Sequence, residues 1–349
     1  MTTRVLICDD SGMARKQMSR ALPPDWETDI AFAVDGLDAL EQIRAGYAEI
    51  LFLDLNMPEL DGYGVLEAIN REDLPVLTIV VSGDIQPQAR ARVKKMGAID
   101  FIKKPTEPGI ITSLLKDYGL YTPAEPAAES PAASAASRTT VPPQAAAKAN
   151  DPGETTLTEF LQEISNVAMG QAADLLARLL DVFVKLPVPR VAMMAHSEIG
   201  MALSAADQSR YSAVCQGFIG GGVAGEALLL FSDSSFNDMA RLLGYDEGSS
   251  ETLDVEVLMD MSSILFGAFI NGLGAQLDIK LGLSHPVVLG QHQSISDLLE
   301  HHSRQGDQQL LAIEINYQLE DHAVACDLLV LMTEDSIPRL QSSLQYLTE

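Results

Sequence analysis

The stretch EILFLDLNMPELDG (residues 49–62) decides the fold of the first third of the chain. An apolar run, EILFLD (49–54), stops at the carboxylate of Asp54, and a helix-period pattern begins near residue 62. The same alternation continues on both sides. RVLIC (4–8), DIAFA (29–33), VLTIVVS (76–82) and DFIKK (100–104) read as further strands. Helix-period stretches lie near 11–21, 36–44, 62–70, 87–96 and 107–118. Five strand–helix units of this length predict an α/β domain with a doubly wound, five-stranded parallel sheet. Ligands of such sheets bind outside the carboxyl ends of the strands.

Polar residues mark those ends. Strand one ends in Asp9–Asp10, strand three in Asp54, strand four in Ser82 and strand five in Lys104–Pro105. Three carboxylates brought to one sheet edge cannot all stay ionised without a counter-cation. Oxygen ligands with room for water suit Mg²⁺. With the cation bound, one carboxylate can attack a phosphoryl group. Lys104 and the Ser82 hydroxyl would then hold the transferred oxygens. A solvated acidic loop is the plainer reading of Asp9 and Asp10, but it leaves the serine and the lysine unexplained.

DD (9–10), DLNMPELDG (54–62), VSGD (81–84) and FIKKP (101–105) resemble, in order and spacing, the receiver domain of two-component response regulators, over residues 1–121. The resemblance implies a strand order of 2-1-3-4-5. It implies Asp54 as phospho-acceptor and a histidine kinase as phosphodonor. Mg²⁺ would sit on Asp10, Asp54 and the Asn56 carbonyl, with Asp9 acting mainly through water. Ser82 and Phe101 would move together as the phosphorylation switch. Asn56 and Asp84 resemble the corresponding residues of fast self-hydrolysing receivers. Pro105 fixes the register on Lys104 rather than Lys103.

Composition changes after Tyr121. Residues 122–152, TPAEPAAESPAASAASRTTVPPQAAAKANDP, are dominated by Ala, Pro, Ser and Thr and predict a flexible linker. Charge is divided unevenly around it: net −6 over 1–121, −1 over 122–152 and −19 over 153–349, for −26 in all. So acidic a chain, without clustered basic residues, argues against a nucleic-acid partner. One basic run, Arg90, Arg92, Lys94 and Lys95, lies on the fourth predicted helix. It reads either as a solvated face or as a docking face for an acidic partner. Three scattered cysteines (Cys8, Cys215, Cys326) fit a reducing compartment. The start lacks a signal-peptide pattern, and the longest uncharged run, Met261 to Leu277, has 17 residues and several polar side chains. A cytoplasmic protein without membrane insertion is expected.

Residues 153–349 contain an internal repeat. Glu163, Asn166, Gly170, Leu176, Leu180, Asp181 and Pro189 recur 97 residues later as Asp260, Ser263, Gly267, Leu273, Leu277, Asp278 and Pro286. A duplicated α+β unit follows, with copies at 153–249 and 250–349. In TLTEFLQEISNVAMGQAADLLARLL (156–180), apolar residues form one stripe. Glu163 and Asn166 are three apart and share a neighbouring face, expected to be exposed. The carboxylate can pair with a lysine of another protein. The amide can hold a water through one donor and one acceptor, as in-line hydrolysis requires.

The Glu-x-x-Asn pair, followed after 22 residues by Pro189 inside a duplicated unit, resembles the CheC, CheX and FliY phosphatases, which dephosphorylate receivers in chemotaxis. The resemblance implies that Glu163 pairs with the receiver lysine and that Asn166 positions the hydrolytic water. Four residues before the glutamate, where that family has Asp or Ser, this chain has Glu159. In the second copy Asp260 is a methylene shorter than Glu, and Ser263 lacks the planar amide, so this copy is expected to be weak or inactive. The glycines of GFIGGGVAGE (Gly220, Gly222, Gly225) precede a strand rather than a helix, so they mark a turn between strands and not a phosphate loop.

These readings predict a receiver controlling a phospho-aspartate phosphatase. A separate phosphorylated receiver is the expected substrate, with Asp54 phosphorylation covering or releasing Glu163–Asn166. Self-dephosphorylation is also within reach, because a 31-residue flexible linker spans roughly 30 Å. The alternative from another class is a non-catalytic binding module, switched by the receiver or serving as a phosphate sink.

Overall fold

The computed structural model describes residues 2–123, 156–195, 198–199, 210–245, 251–299 and 309–348. The expected linker lies almost wholly outside them.

In the N-terminal part, β1 (Thr3–Cys8), β2 (Thr28–Ala33), β3 (Ile50–Leu53), β4 (Leu77–Ser82) and β5 (Asp100–Lys103) form a parallel sheet in the order β2-β1-β3-β4-β5. Between and after them run α1 (Gly12–Ala21), α2 (Gly36–Arg44), α3 (Gly62–Glu72), α4 (Pro87–Lys95) and α5 (Pro108–Asp117). The α/β expectation holds in element order, and element bounds move by two residues at most.

Side chains alternate across the sheet. Leu6, Leu51, Leu53 and Val80 pack with Leu40, Val65, Leu66 and Val93 of α2, α3 and α4. Val5, Ile7, Phe52 and Ile79 pack on the other face with Met18, Ile111 and Leu115 of α1 and α5. Both faces are covered, so the strands are apolar almost throughout.

Local chemistry then shapes the functional edge. Ser11, Asp35 and Asp61 cap α1, α2 and α3 by accepting from Ala14 N, Asp38 N and Gly64 N. At residue 62 a Cβ would fall 2.2 Å from the Asp54 carbonyl oxygen, so only glycine lets α3 start against the end of β3.

The C-terminal part is α+β. It comprises α6 (Leu157–Leu180), β6 (Val184–Lys185), β7 (Arg190–Ala195), β8 (Tyr211–Gly220), β9 (Val223–Ser232) and α7 (Phe236–Leu242). These are followed by α8 (Glu251–Gln276), β10 (Gly282–Leu283), β11 (Val287–Gln293), α9 (Ile295–Leu299), β12 (Gln309–Leu319), β13 (Ala325–Thr333) and α10 (Ile337–Thr348). The strands form one antiparallel sheet along β10-β8-β9-β13-β12-β6, with β11 beside β8 and β7 beside β12. On one face of it α6 and α8 pack together, burying Phe160, Ile164, Phe266 and Phe269 against Val214, Leu229, Ile313 and Val330.

The internal repeat is visible in the backbone. Both long helices end at an aspartate in the left-handed region, Asp181 (φ 53°) and Asp278 (φ 52°). At the centre of the sheet, Leu228 pairs with Leu329. The Ser336 hydroxyl bonds the backbone of Ala224, and the Ser235 hydroxyl bonds that of Ala325, reciprocally. No helix among the described residues is long and apolar enough to cross a membrane.

Candidate active site

The ends of β1, β3 and β5 bring Asp9, Asp10, Asp54 and Lys104 together. Lys104 Nζ lies 2.7 Å from Asp9 Oδ2 and 3.2 Å from Asp54 Oδ2. A third carboxylate arrives from α6: Glu163 Oε1 is 3.2 Å from the same ammonium. Asp9, Asp54, Lys104 and Glu163 are buried, and Asp10 is half-buried. Burial disfavours the Lys104 ammonium, but Asp54, Asp9 and Glu163 together outweigh it and hold the proton firmly. Burial pushes the Asp54 carboxyl well above the ordinary range, with Lys104 opposing and Asp9 adding to the shift. It raises Glu163 in the same way, again against Lys104. Asp10 is raised to about 7, first by burial and then by its neighbour Asp9.

This donor set fits a hard divalent cation. Asp9, Asp10 and Asp54 each offer an oxygen within 4.8 Å of the others. Asp54 Oδ1 accepts from Leu55 N, whereas the buried Oδ2 accepts no directed hydrogen bond despite the nearby ammonium. The raised carboxyl groups of Asp10 and Asp54 are ones a cation there would neutralise. A cavity of about 260 Å³ opens beside them, lined by Asp9, Asp54, Lys104, Glu163, Val167 and Gln276 among others. It has room for several waters next to Asp54.

Glu163 and Asn166 do share one face of α6, but that face is not exposed. Each is only 6% accessible, because the N-terminal part covers it. Asn56 Nδ2 donates to Asn166 Oδ1 and, at 2.8 Å, to the Pro187 carbonyl. Gln162 Nε2 donates to Asp10 Oδ2 at 3.2 Å. Further along, the Gln86 side chain pairs with the backbone of Val184 in both directions, at 2.8 and 2.9 Å. Met13 of α1 joins the hydrophobic core of the C-terminal part. Of the basic run on α4, Arg92 reaches across to Glu320 at 3.2 Å and stacks between Tyr63 and Phe183. Arg90 and Lys94 instead pair with Asp100 of the neighbouring strand β5.

Other expected residues take local roles. Ser82 is fully buried at the end of β4, its hydroxyl accepting from Asp84 N. Phe101 is half-buried on β5 against the α2–α4 side of the sheet. Glu159 completes a capping box with Thr156 at the start of α6. In the second copy, Asp260 accepts from the Tyr245 hydroxyl and the Ser263 hydroxyl donates to Met259 O; both residues are exposed. Sequence reasoning did not single out Gln86, Gln162, Gly83 or Glu320.

Comparison with known proteins agrees with the N-terminal geometry. The family model for the response regulator receiver domain matches residues 5–116, and this part of the chain is a receiver domain. The protein-glutamate methylesterase/protein-glutamine glutaminase of Symbiobacterium thermophilum is 37% identical over 105 residues, 30% of this chain and 29% of that protein. The one from Lawsonia intracellularis is 36% identical over 105 residues, 29% of each. The chain thus spans under a third of the length of these relatives. Among solved structures, the response regulator domain of Thermotoga maritima CheB is 28% identical with a TM-score of 0.31, covering 34% of this chain and 96% of that one. Thermotoga maritima FliY is 16% identical with a TM-score of 0.44, covering 54% of this chain and 96% of that one.

Proposed function

We propose that this chain is a cytoplasmic two-component signalling protein of chemotaxis in which residues 153–349 act as a CheC-like phosphatase on a phosphorylated receiver. A receiver (1–121) is joined to it through residues 122–152. A histidine kinase loads Asp54. The observation that carries this reading is the 3.2 Å contact between Glu163 and Lys104, made while Asn166 is held at the same sheet edge by Asn56.

Lys104 is the cation that faces a phosphoryl group on Asp54, so a carboxylate paired with it registers α6 over that group. Asn166 is next in the chain to Val167, which lines the adjoining cavity, and its amide is the group that would orient a water there. An amide that offers both a donor and an acceptor can fix a water in line with the phosphorus. Asp10, Asp54 and the Asn56 carbonyl would hold Mg²⁺, which when bound offsets the charge of the carboxylates and phosphoryl oxygens. Asp260 and Ser263, already hydrogen-bonded locally, form an idle copy.

The test is orthophosphate release by the full chain supplied with acetyl phosphate. Asn166→Ala is expected to lower the rate on the order of 100-fold. Equal rates would contradict the phosphatase reading and favour a binding module.

A further inference from the structure

The geometry points to the receiver in the same chain as the substrate: we propose that Glu163 and Asn166 hydrolyse the phosphoryl group on Asp54 in cis, and that Asp54 can be loaded only when the two parts separate. The inference rests on the phosphatase reading and names its substrate, where the sequence had favoured a separate receiver.

Three observations carry it. First, the C-terminal part engages the receiver's phosphorylation edge at four residues: Asp10 by Gln162, Asn56 by Asn166 and Pro187, Gln86 by Val184, and Arg92 by Glu320. Second, the fit reaches the backbone. A Cβ at Gly170 would fall 2.0 Å from Gly83 O, and one at Gly83 would meet Asn166 O at 3.1 Å. Third, the site is filled. A separate receiver would need the space that the chain's own receiver occupies. The tethered copy also competes at an effective concentration on the order of millimolar.

The same contacts exclude the phosphodonor. Asp54 is 2% accessible beneath α6, so a donor cannot approach its carboxylate while the parts are docked. Loading follows release, and docking follows loading. In the docked form, water adds to phosphorus and the bond from phosphorus to the Asp54 oxygen breaks. The electron pair stays on the carboxylate, and both water hydrogens leave on dihydrogen phosphate. No co-reactant is consumed. The chain would act as a self-emptying drain for phosphoryl groups.

The test follows the decay of radiolabelled Asp54 after the full chain is loaded with acetyl phosphate and the donor is removed. Expected is a first-order decay whose rate stays constant over a 100-fold dilution. The Asn166→Ala chain should keep its label on the order of 100 times longer, and adding an intact-phosphatase Asp54→Asn chain should not restore its decay. Incorporation of label shows that the variant receiver is folded. Decay that slows on dilution, or rescue by the added chain, would overturn the cis assignment and leave the phosphatase standing. Decay equally slow in the unaltered and Asn166→Ala chains would remove the phosphatase reading and this inference with it.

Discussion

Gly170 of α6 and Gly83, the residue after β4, meet backbone to backbone: the position a Cβ would take on Gly170 is 2.0 Å from the Gly83 carbonyl oxygen. In the second copy, the counterpart Gly267 has nothing within 4 Å of that position. One glycine is therefore demanded by docking, and its repeat partner is not.

Gly170→Ala separates helix stability from docking. Alanine favours a helix interior over glycine by about 1 kcal/mol, so α6 itself should strengthen. Docking should fail, because the methyl group meets backbone that cannot rotate away. Acetyl phosphate should then load Asp54 faster, and the label should persist longer. Gly267→Ala should change neither rate. The kinetics of label incorporation and loss check both statements.

Gln86 joins the receiver to β6 through two buried hydrogen bonds with Val184. Gln86→Ala leaves a backbone donor and acceptor unpaired in the interface. Docking is expected to weaken by roughly 2–3 kcal/mol. Arg92→Ala should cost less, about 1 kcal/mol or under, since the Arg92–Glu320 pair is partly exposed and screened. Hydrogen exchange of the amides around Asp54 in the full chain reads both losses.

Asp84 supplies a pH signature. Burial raises its carboxyl to about 6, with bonds from Gln86 opposing and Asp174 adding to the shift. The folded state therefore holds this proton more tightly than the unfolded chain, whose aspartate titrates near 3.8. Between those values the folded state carries more protons, so this group's contribution to stability falls as pH rises. Asp84→Asn removes the dependence. The variant's advantage should grow from pH 4 to pH 7, reaching at most about 3 kcal/mol, measured by urea unfolding of the full chain.

The second copy should be silent. Asp260→Ala combined with Ser263→Ala is expected to leave orthophosphate release within about twofold, because no amide is present there to orient water. A loss comparable to that of Asn166→Ala would show two working sites.

The receiver fold was legible because each strand of its sheet is a short apolar run, and four of the five are closed by a polar residue at the same edge. Period and punctuation agreed from Cys8–Asp9 to Lys104–Pro105. The repeat was legible because Asp181 and Asp278 close the two long helices in the same backbone conformation. Glu163 and Asn166 were found by spacing, but their burial was not, since spacing fixes the face of a helix and not what covers it. Gln86, Gln162 and Glu320 gave no signal at all. An isolated amide or carboxylate on a helix or turn reads as solvated until the partner surface is present, and here that partner is more than a hundred residues away in sequence for Gln162 and Glu320.

The most direct test is the lifetime of the acyl phosphate on Asp54 in the full chain, with Glu163→Gln and Asn166→Asp compared against the unaltered protein. Both substitutions keep side-chain shape; one removes the charge that pairs with Lys104, and the other removes the amide. The account predicts that each lengthens the lifetime at least about tenfold. An unchanged lifetime in both would contradict it.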